Sequence, residues 1–149
     1  MMDFEHFLEK NGIWHQFKES HSTKSAREAA DNAGVPYDKI IKTLAFETTD
    51  EVYLVIARAV DRVSTKKLKK LLSISDTRLA SPDKVKEATG YEVGAVPPIG
   101  HRNLRIFMDE KVLDMQTAWA GGGATNRVIE LKIEDVIKFS QPTIADVSE

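Results

Sequence analysis

Apolar residues in this chain recur with two spacings, and each spacing predicts a kind of element. Phe4, Phe7 and Leu8 fall on one helical face, with Asp3 placed to cap the first turn and Gly12 to end the helix. Ile13 to Lys18 reads as a short strand. Ser25-Ala26-Arg27-Glu28 has the capping-box pattern, with Glu28 positioned to reach back to the Ser25 amide. The helix it opens carries Ala29, Ala30 and Ala33 and stops at Gly34, with Pro36 just beyond. Ile40 to Phe46 and Val52 to Ala57 are strand-like runs. Polar Thr48-Thr49-Asp50 joins them, so a hairpin is the simplest connection.

Further along, Ser64 can cap a lysine-rich helix with Leu68, Leu71 and Leu72 inward. Ser81-Pro82 opens another, with the proline at the first helical position; Val85 and Ala88 face the core and Gly90 closes it. Strands are predicted at Leu104 to Met108, Val112 to Leu113, Thr117 to Ala120 and Arg127 to Leu131, with Gly121-Gly122-Gly123 between the last two. A final helix, Glu134 to Phe139, stops before Pro142, and the segment after Thr143 is expected to fray. Strands and helices do not alternate regularly, so the fold class is α+β rather than a doubly wound sheet. There is no repeat, low-complexity tract or linker, and one domain over residues 1–149 is the expectation.

Composition narrows the function. At 149 residues, 42% hydrophobic and 30% charged, the chain can bury a core without staples. Its net charge of −2 gives no global signal for nucleic acid, so such binding needs a local patch. Cysteine is absent, which removes disulfides, thiol nucleophiles and cysteine metal sites. Met1-Met2-Asp3-Phe4-Glu5-His6 lacks the pattern of a leader, and no apolar run approaches a membrane span. A cytoplasmic protein without membrane contact is expected. His6, His15, His21 and His101 show no ligand spacing and read as surface or partly buried residues. There is no nucleophile elbow, Walker motif or dinucleotide fingerprint, since Asn126 stands where a final glycine belongs. No cofactor is expected.

Four features remain. Lys42 stands inside the apolar run Ile40 to Phe46, and a lysine is seldom buried without a partner. Taken alone it reads first as an edge-strand lysine that discourages aggregation. Tyr91 to Gly100 holds three glycines and two prolines. Gly94 admits close approach of a ligand or of another chain segment, and Pro97 and Pro98 stiffen the path. Gly121 to Asn126 either exposes amides to an anion or oxyanion or forms an ordinary hairpin turn. Arg58, Arg62, Lys66, Lys67, Lys69 and Lys70 make a local basic region, read either as a nucleic-acid backbone contact or as the solvated face of a helix. No aromatic residues interleave with them, so base stacking is not supported.

In order along the chain, these pieces resemble the YbaK/prolyl-tRNA synthetase-associated domain family. The resemblance rests on Ser25 to Gly34, the strand Ile41-Lys42-Thr43-Leu44, the stretch Thr89 to Gly100, the glycines 121–123, and Ile129-Glu130-Leu131 with Glu134-Asp135-Val136. It implies a curved mixed β-sheet, partly barrel-like, flanked by helices, with a pocket for the 3′ end of an aminoacylated tRNA. It implies a free-standing hydrolase that removes a wrongly attached amino acid in the service of translation fidelity. A synthetase is an implied partner, and the oligomeric state is left open. The alternative is a non-catalytic module of the same fold that binds tRNA or a small anion.

By the same resemblance Lys42, Gly94 and Gly100 carry over as catalytic positions. Thr43, Val96, Pro97, Pro98, Ile99, Gly121, Gly122 and Gly123 carry over as substrate-binding ones. Two residues depart from the family's pattern: Pro97 stands where many members have serine, and Val128 where one subgroup has aspartate. The amino acid removed is therefore open, as is whether Lys42 acts as a fixed charge or as a base.

Overall fold

Helices start where the polar caps stand. In the computed structural model, which describes residues 3–149, Asp3 accepts the Glu5 amide at the head of α1 (Phe4–Lys10). Ser25, Ser64 and Ser81 do the same for α2 (Ala26–Ala33), α3 (Thr65–Leu72) and α4 (Pro82–Thr89), each taking the amide three residues on. The capping box at Ser25 is incomplete, because Glu28 accepts from the Ser22 hydroxyl instead of the Ser25 amide. Helix α5 (Ile133–Ser140) starts without a side-chain cap. Met1 and Met2, the start of the stretch read as lacking a leader, lie outside the described residues.

The expected hairpin is present. Strands β2 (Ile41–Glu47) and β3 (Val52–Arg58) pair antiparallel, and the Thr48 hydroxyl accepts the Asp50 and Glu51 amides in the turn. They form the centre of a five-stranded mixed sheet with β4 (Arg78–Leu79), β5 (Ile106–Asp109) and β8 (Thr143–Ala145), in the order β4-β2-β3-β5-β8. A second, antiparallel sheet has the order β1-β7-β6, from β1 (His15–Glu19), β6 (Thr117–Gly121) and β7 (Arg127–Lys132). The fold is α+β, as expected. The partly barrel-like sheet is corrected to two separate sheets. Among the described residues they meet through one isolated parallel bridge, Ile40 to Trp119, and close no barrel.

Strand alternation explains the layers. Ile41, Ala45, Leu54, Ile56, Ile106 and Met108 of the large sheet share the main core with Ala118, Ala120, Ile129 and Leu131 of the small one. On the other face of the large sheet, Phe46, Tyr53, Val55 and Phe107 pack against Leu68 of α3. Leu71 of that helix, expected inward, is largely exposed, and Ala88 of α4 is half-buried.

Several boundaries differ from expectation, among them the strand expected from Leu104, which begins at Ile106. The first strand begins at His15 because Ile13 plugs the core after α1, its amide bonded to the Leu8 carbonyl. Val112 and Leu113 lie in a 3₁₀ helix, Glu110–Asp114, which Asp109 caps at the Lys111 amide. The tail does not fray. β8 pairs in parallel with β5, Val147 and Ser148 are fully buried, and Val147 donates its amide to the buried Asp109 carboxylate.

Candidate functional site

The two sheets part where neither covers β2. Its outer edge meets β4 only at Phe46 and Glu47, and the small sheet only through Ile40. The gap between opens into a cavity of about 290 Å³. Its walls are mostly apolar: Ala26 and Ala29 of α2, Leu44 of β2, Val93 and Val96 of the glycine/proline segment, and Val128 of β7.

Of the residues singled out in the sequence, Lys42, Thr43, Gly94, Val96 and Gly121 line this cavity together. Others do not reach it. Pro97 and Pro98 are buried behind the segment, and Ile99 sits fully enclosed in the main core. Gly100 lines a different hollow, of about 670 Å³, with Tyr91, His101 and Arg102. Gly122 offers its carbonyl to the Arg127 side chain, and the Gly123 amide is bonded to the Ala95 carbonyl. That amide therefore holds the loop and does not face a ligand.

The glycines at the cavity are required by chain packing. A Cβ on Gly94 would overlap the Thr23 carbonyl oxygen and lie 2.8 Å from its carbon, and Gly94 has φ +84°. A Cβ on Gly121 would overlap the Val96 carbonyl oxygen. The segment 93–96 is thus clamped between the stretch before α2 and the end of β6.

Lys42 shares its strand face with Leu44 and Phe46, on the side covered by α3. Its Nζ donates to the Asp61 carbonyl at 2.6 Å and, more weakly, to the Ala59 carbonyl at 3.5 Å. Burial pulls its pKa below the usual lysine value, and the Asp61 carboxylate opposes that. Asp61 itself is held below the usual range chiefly by its hydrogen bonds from Arg58 at 2.7 and 3.0 Å. Lys42 is therefore no simple edge-strand lysine. It ties β2 to the turn after β3.

The basic region divides. Arg58 is paired with Asp61, Arg62 with Glu149, and Lys67 with Asp146. Lys66, Lys69 and Lys70 have no ion pair among the described residues and follow the outward side of α3. His101, read from the sequence as a surface or partly buried residue, is partly buried. Its Nε2 donates to the Pro97 carbonyl at 2.6 Å, and its ring meets Tyr91 edge-on at 6.0 Å. Burial lowers its pKa, only partly opposed by that carbonyl. The wall formed by Ala26 and Ala29 was missed, since an alanine stripe signals helix packing as readily as a pocket.

Among the described residues, no histidine or carboxylate lines the cavity, and the chain has no cysteine. The fold and site define an α+β domain with one small apolar pocket and a tethered ammonium. Among the described residues none of its lining hydroxyls, Thr23, Ser25 and Thr43, is hydrogen-bonded to a lysine or histidine side chain as an activated nucleophile is. The chain belongs to the aminoacyl-tRNA editing domain family, whose model matches residues 20–139. It is 31% identical over 121 residues to the uncharacterized protein YwhH of Bacillus subtilis (strain 168), covering 80% of this chain and 76% of that one. It is 29% identical over 124 residues to the proline--tRNA ligase of Halalkalibacterium halodurans, covering 83% of this chain but only 22% of the ligase. A crystal structure of a proposed trans-editing enzyme for prolyl tRNA synthetase superposes with a TM-score of 0.81 at 29% identity, covering 95% of this chain and 92% of that one. Among the described residues no helix is long and apolar enough to cross a membrane.

Proposed function

We propose that this chain is an aminoacyl-tRNA deacylase that acts in trans, hydrolysing the ester of a mischarged tRNA in the cytoplasm. The observation that carries the reading is the apolar cavity where Lys42 and Thr43, Gly94 and Gly121 converge. The volume suits an amino-acid side chain with its ester, and the alanine and valine walls favour a small apolar one. An aminoacyl ester is already activated, so water can attack it without a covalent enzyme intermediate. That no lining hydroxyl is hydrogen-bonded to a lysine or histidine side chain among the described residues fits that chemistry.

Lys42 acts as a fixed charge in this mechanism. Two carbonyl oxygens face its Nζ, and they favour N–H donors over the lone pair a base would need. The third N–H of the ammonium remains for the phosphate or carbonyl of the tRNA 3′ end. A synthetase that releases mischarged tRNA is the natural partner.

The test is deacylation of a panel of mischarged tRNAs carrying small apolar, polar and acidic residues. Lys42→Ala should reduce turnover on the order of 10²–10³-fold, as removal of one electrostatic contact at a transition state does. If tRNA binds and no ester is cleaved, the chain is a binding module. If Lys42→Ala leaves turnover intact, the lysine is only a tether.

A further inference from the structure

The backbone of β2 alternates its allegiance. The Ala59 amide donates to the Ile40 carbonyl, and Lys42, Leu44 and Phe46 stand opposite Ala57, Val55 and Tyr53. In an antiparallel pair the hydrogen-bonded residues come at every second position. Ile40, Lys42, Leu44 and Phe46 therefore turn their N–H and C=O toward β3, while Ile41, Thr43 and Ala45 turn theirs to the open edge. The Ala45 carbonyl confirms the phase, since it accepts the Ala80 amide at 2.9 Å. Thr43 is the middle of the unpaired stretch and lines the cavity. Among the described residues this edge of β2 is paired only at Phe46 and Glu47 and bridged at Ile40, so Thr43 faces no strand partner there, and its enclosed Oγ1 also lacks a partner.

Unpaired main-chain groups at an enclosed edge are costly unless a ligand meets them. The gap is too short for an added peptide strand, being closed at one end by the Ile40–Trp119 bridge and at the other by the Phe46–Leu79 pair. It has room for one residue. An aminoacyl group is one residue: an ammonium donor and a carbonyl acceptor on either side of a single Cα. We propose that the main chain of Thr43 reads the aminoacyl group as a one-residue strand. The Thr43 C=O accepts from the α-ammonium, and the Thr43 N–H donates to the ester carbonyl. The side chain then falls among Ala26, Ala29 and Val128. This assignment rests on the deacylase reading above and adds the element that recognises any α-amino acid, independently of its side chain.

The experiment is a ¹H–¹⁵N titration with 3′-alanylamino-3′-deoxyadenosine, whose amide link resists hydrolysis. It is run beside the 3′-propionylamino analogue, which lacks only the α-amino group. The alanyl probe should move the Thr43 amide resonance downfield and slow its hydrogen exchange. The propionyl analogue should bind about tenfold or more weaker, for loss of one charge-assisted hydrogen bond. Equal affinities, or shifts at Ala26, Val96 and Val128 with Thr43 unmoved, overturn the inference. No perturbation at the cavity overturns it as well. Deacylation of mischarged tRNA by the same preparation, measured in parallel, then tells whether the deacylase reading falls with it.

Discussion

Gly94→Ala separates a glycine kept for packing from one kept for a ligand. Its added Cβ would overlap the Thr23 carbonyl, and Thr23 is buried, so the obstacle is backbone with little room to yield. Two costs combine. The positive φ of +84° costs an alanine about 1–2 kcal/mol. Displacing packed backbone adds about 1–3 kcal/mol. Gly34 supplies the control. It has φ +68° with nothing within 4 Å of an added Cβ, so Gly34→Ala carries the first cost alone. Equilibrium urea unfolding of the two variants without substrate isolates the steric part. With a urea slope of about 1–3 kcal/mol per molar, the midpoint of Gly94→Ala should lie roughly 1 M below that of Gly34→Ala. Coincident midpoints, together with lost deacylation in Gly94→Ala alone, would refute the packing argument and reserve Gly94 for the substrate.

Other consequences are open to measurement. Burial holds His101 below its ordinary value of 6.5, so the unfolded chain takes up a proton there while the folded one resists. Stability is then complete above about pH 6.5 and declines as pH falls below it. His101→Gln, still able to donate to Pro97, should flatten urea midpoints across that window; an unchanged profile would remove His101 as the cause. Ending the chain at Pro142 deletes β8 and buried Val147 and takes a donor from Asp109, for a loss of at least about 3 kcal/mol. An unaltered melting curve would mean that the tail contributes nothing. Reversing Lys66, Lys69 and Lys70 to glutamate should lower the salt slope of tRNA binding by about one for each phosphate no longer neutralised. If the slope stays the same, these lysines are a solvated face.

Local chemistry made much of the fold legible. Serine and aspartate caps marked four helix starts, and the polar Thr48 turn marked the hairpin. What was missed depends on distant partners. β4 is two residues long and exists because Ala45 to Glu47 offers it an edge. β8 is three residues long and mostly exposed, and only its parallel partner β5 makes it a strand. At 110–114 the Asp109 cap outweighed two apolar residues. The candidate site was legible in the same measure. Glycine at 94 and 121 announced a close approach but not its source, which is carbonyl oxygen from Thr23 and Val96. Gly100 and Gly123 followed the same signal and lie outside the cavity. Lys42 was rightly suspected of having a partner, and that partner is main-chain carbonyl, which no side-chain pattern encodes.

The small sheet has a bearing on how the chain acquires its shape. β7 is its central strand, and β1 pairs with nothing else in it, His15 lying opposite Leu131. On a ribosome, β1 leaves the tunnel early and waits through the synthesis of nearly the whole chain before its neighbour appears. Pairings so distant in sequence slow folding and prolong exposure of unpaired strands. The hairpin β2–β3 can form at once, but the wall that Ala120, Gly121 and Val128 give the cavity comes last. A truncated or stalled chain therefore displays Lys42 and Thr43 without the pocket that would give them a substrate.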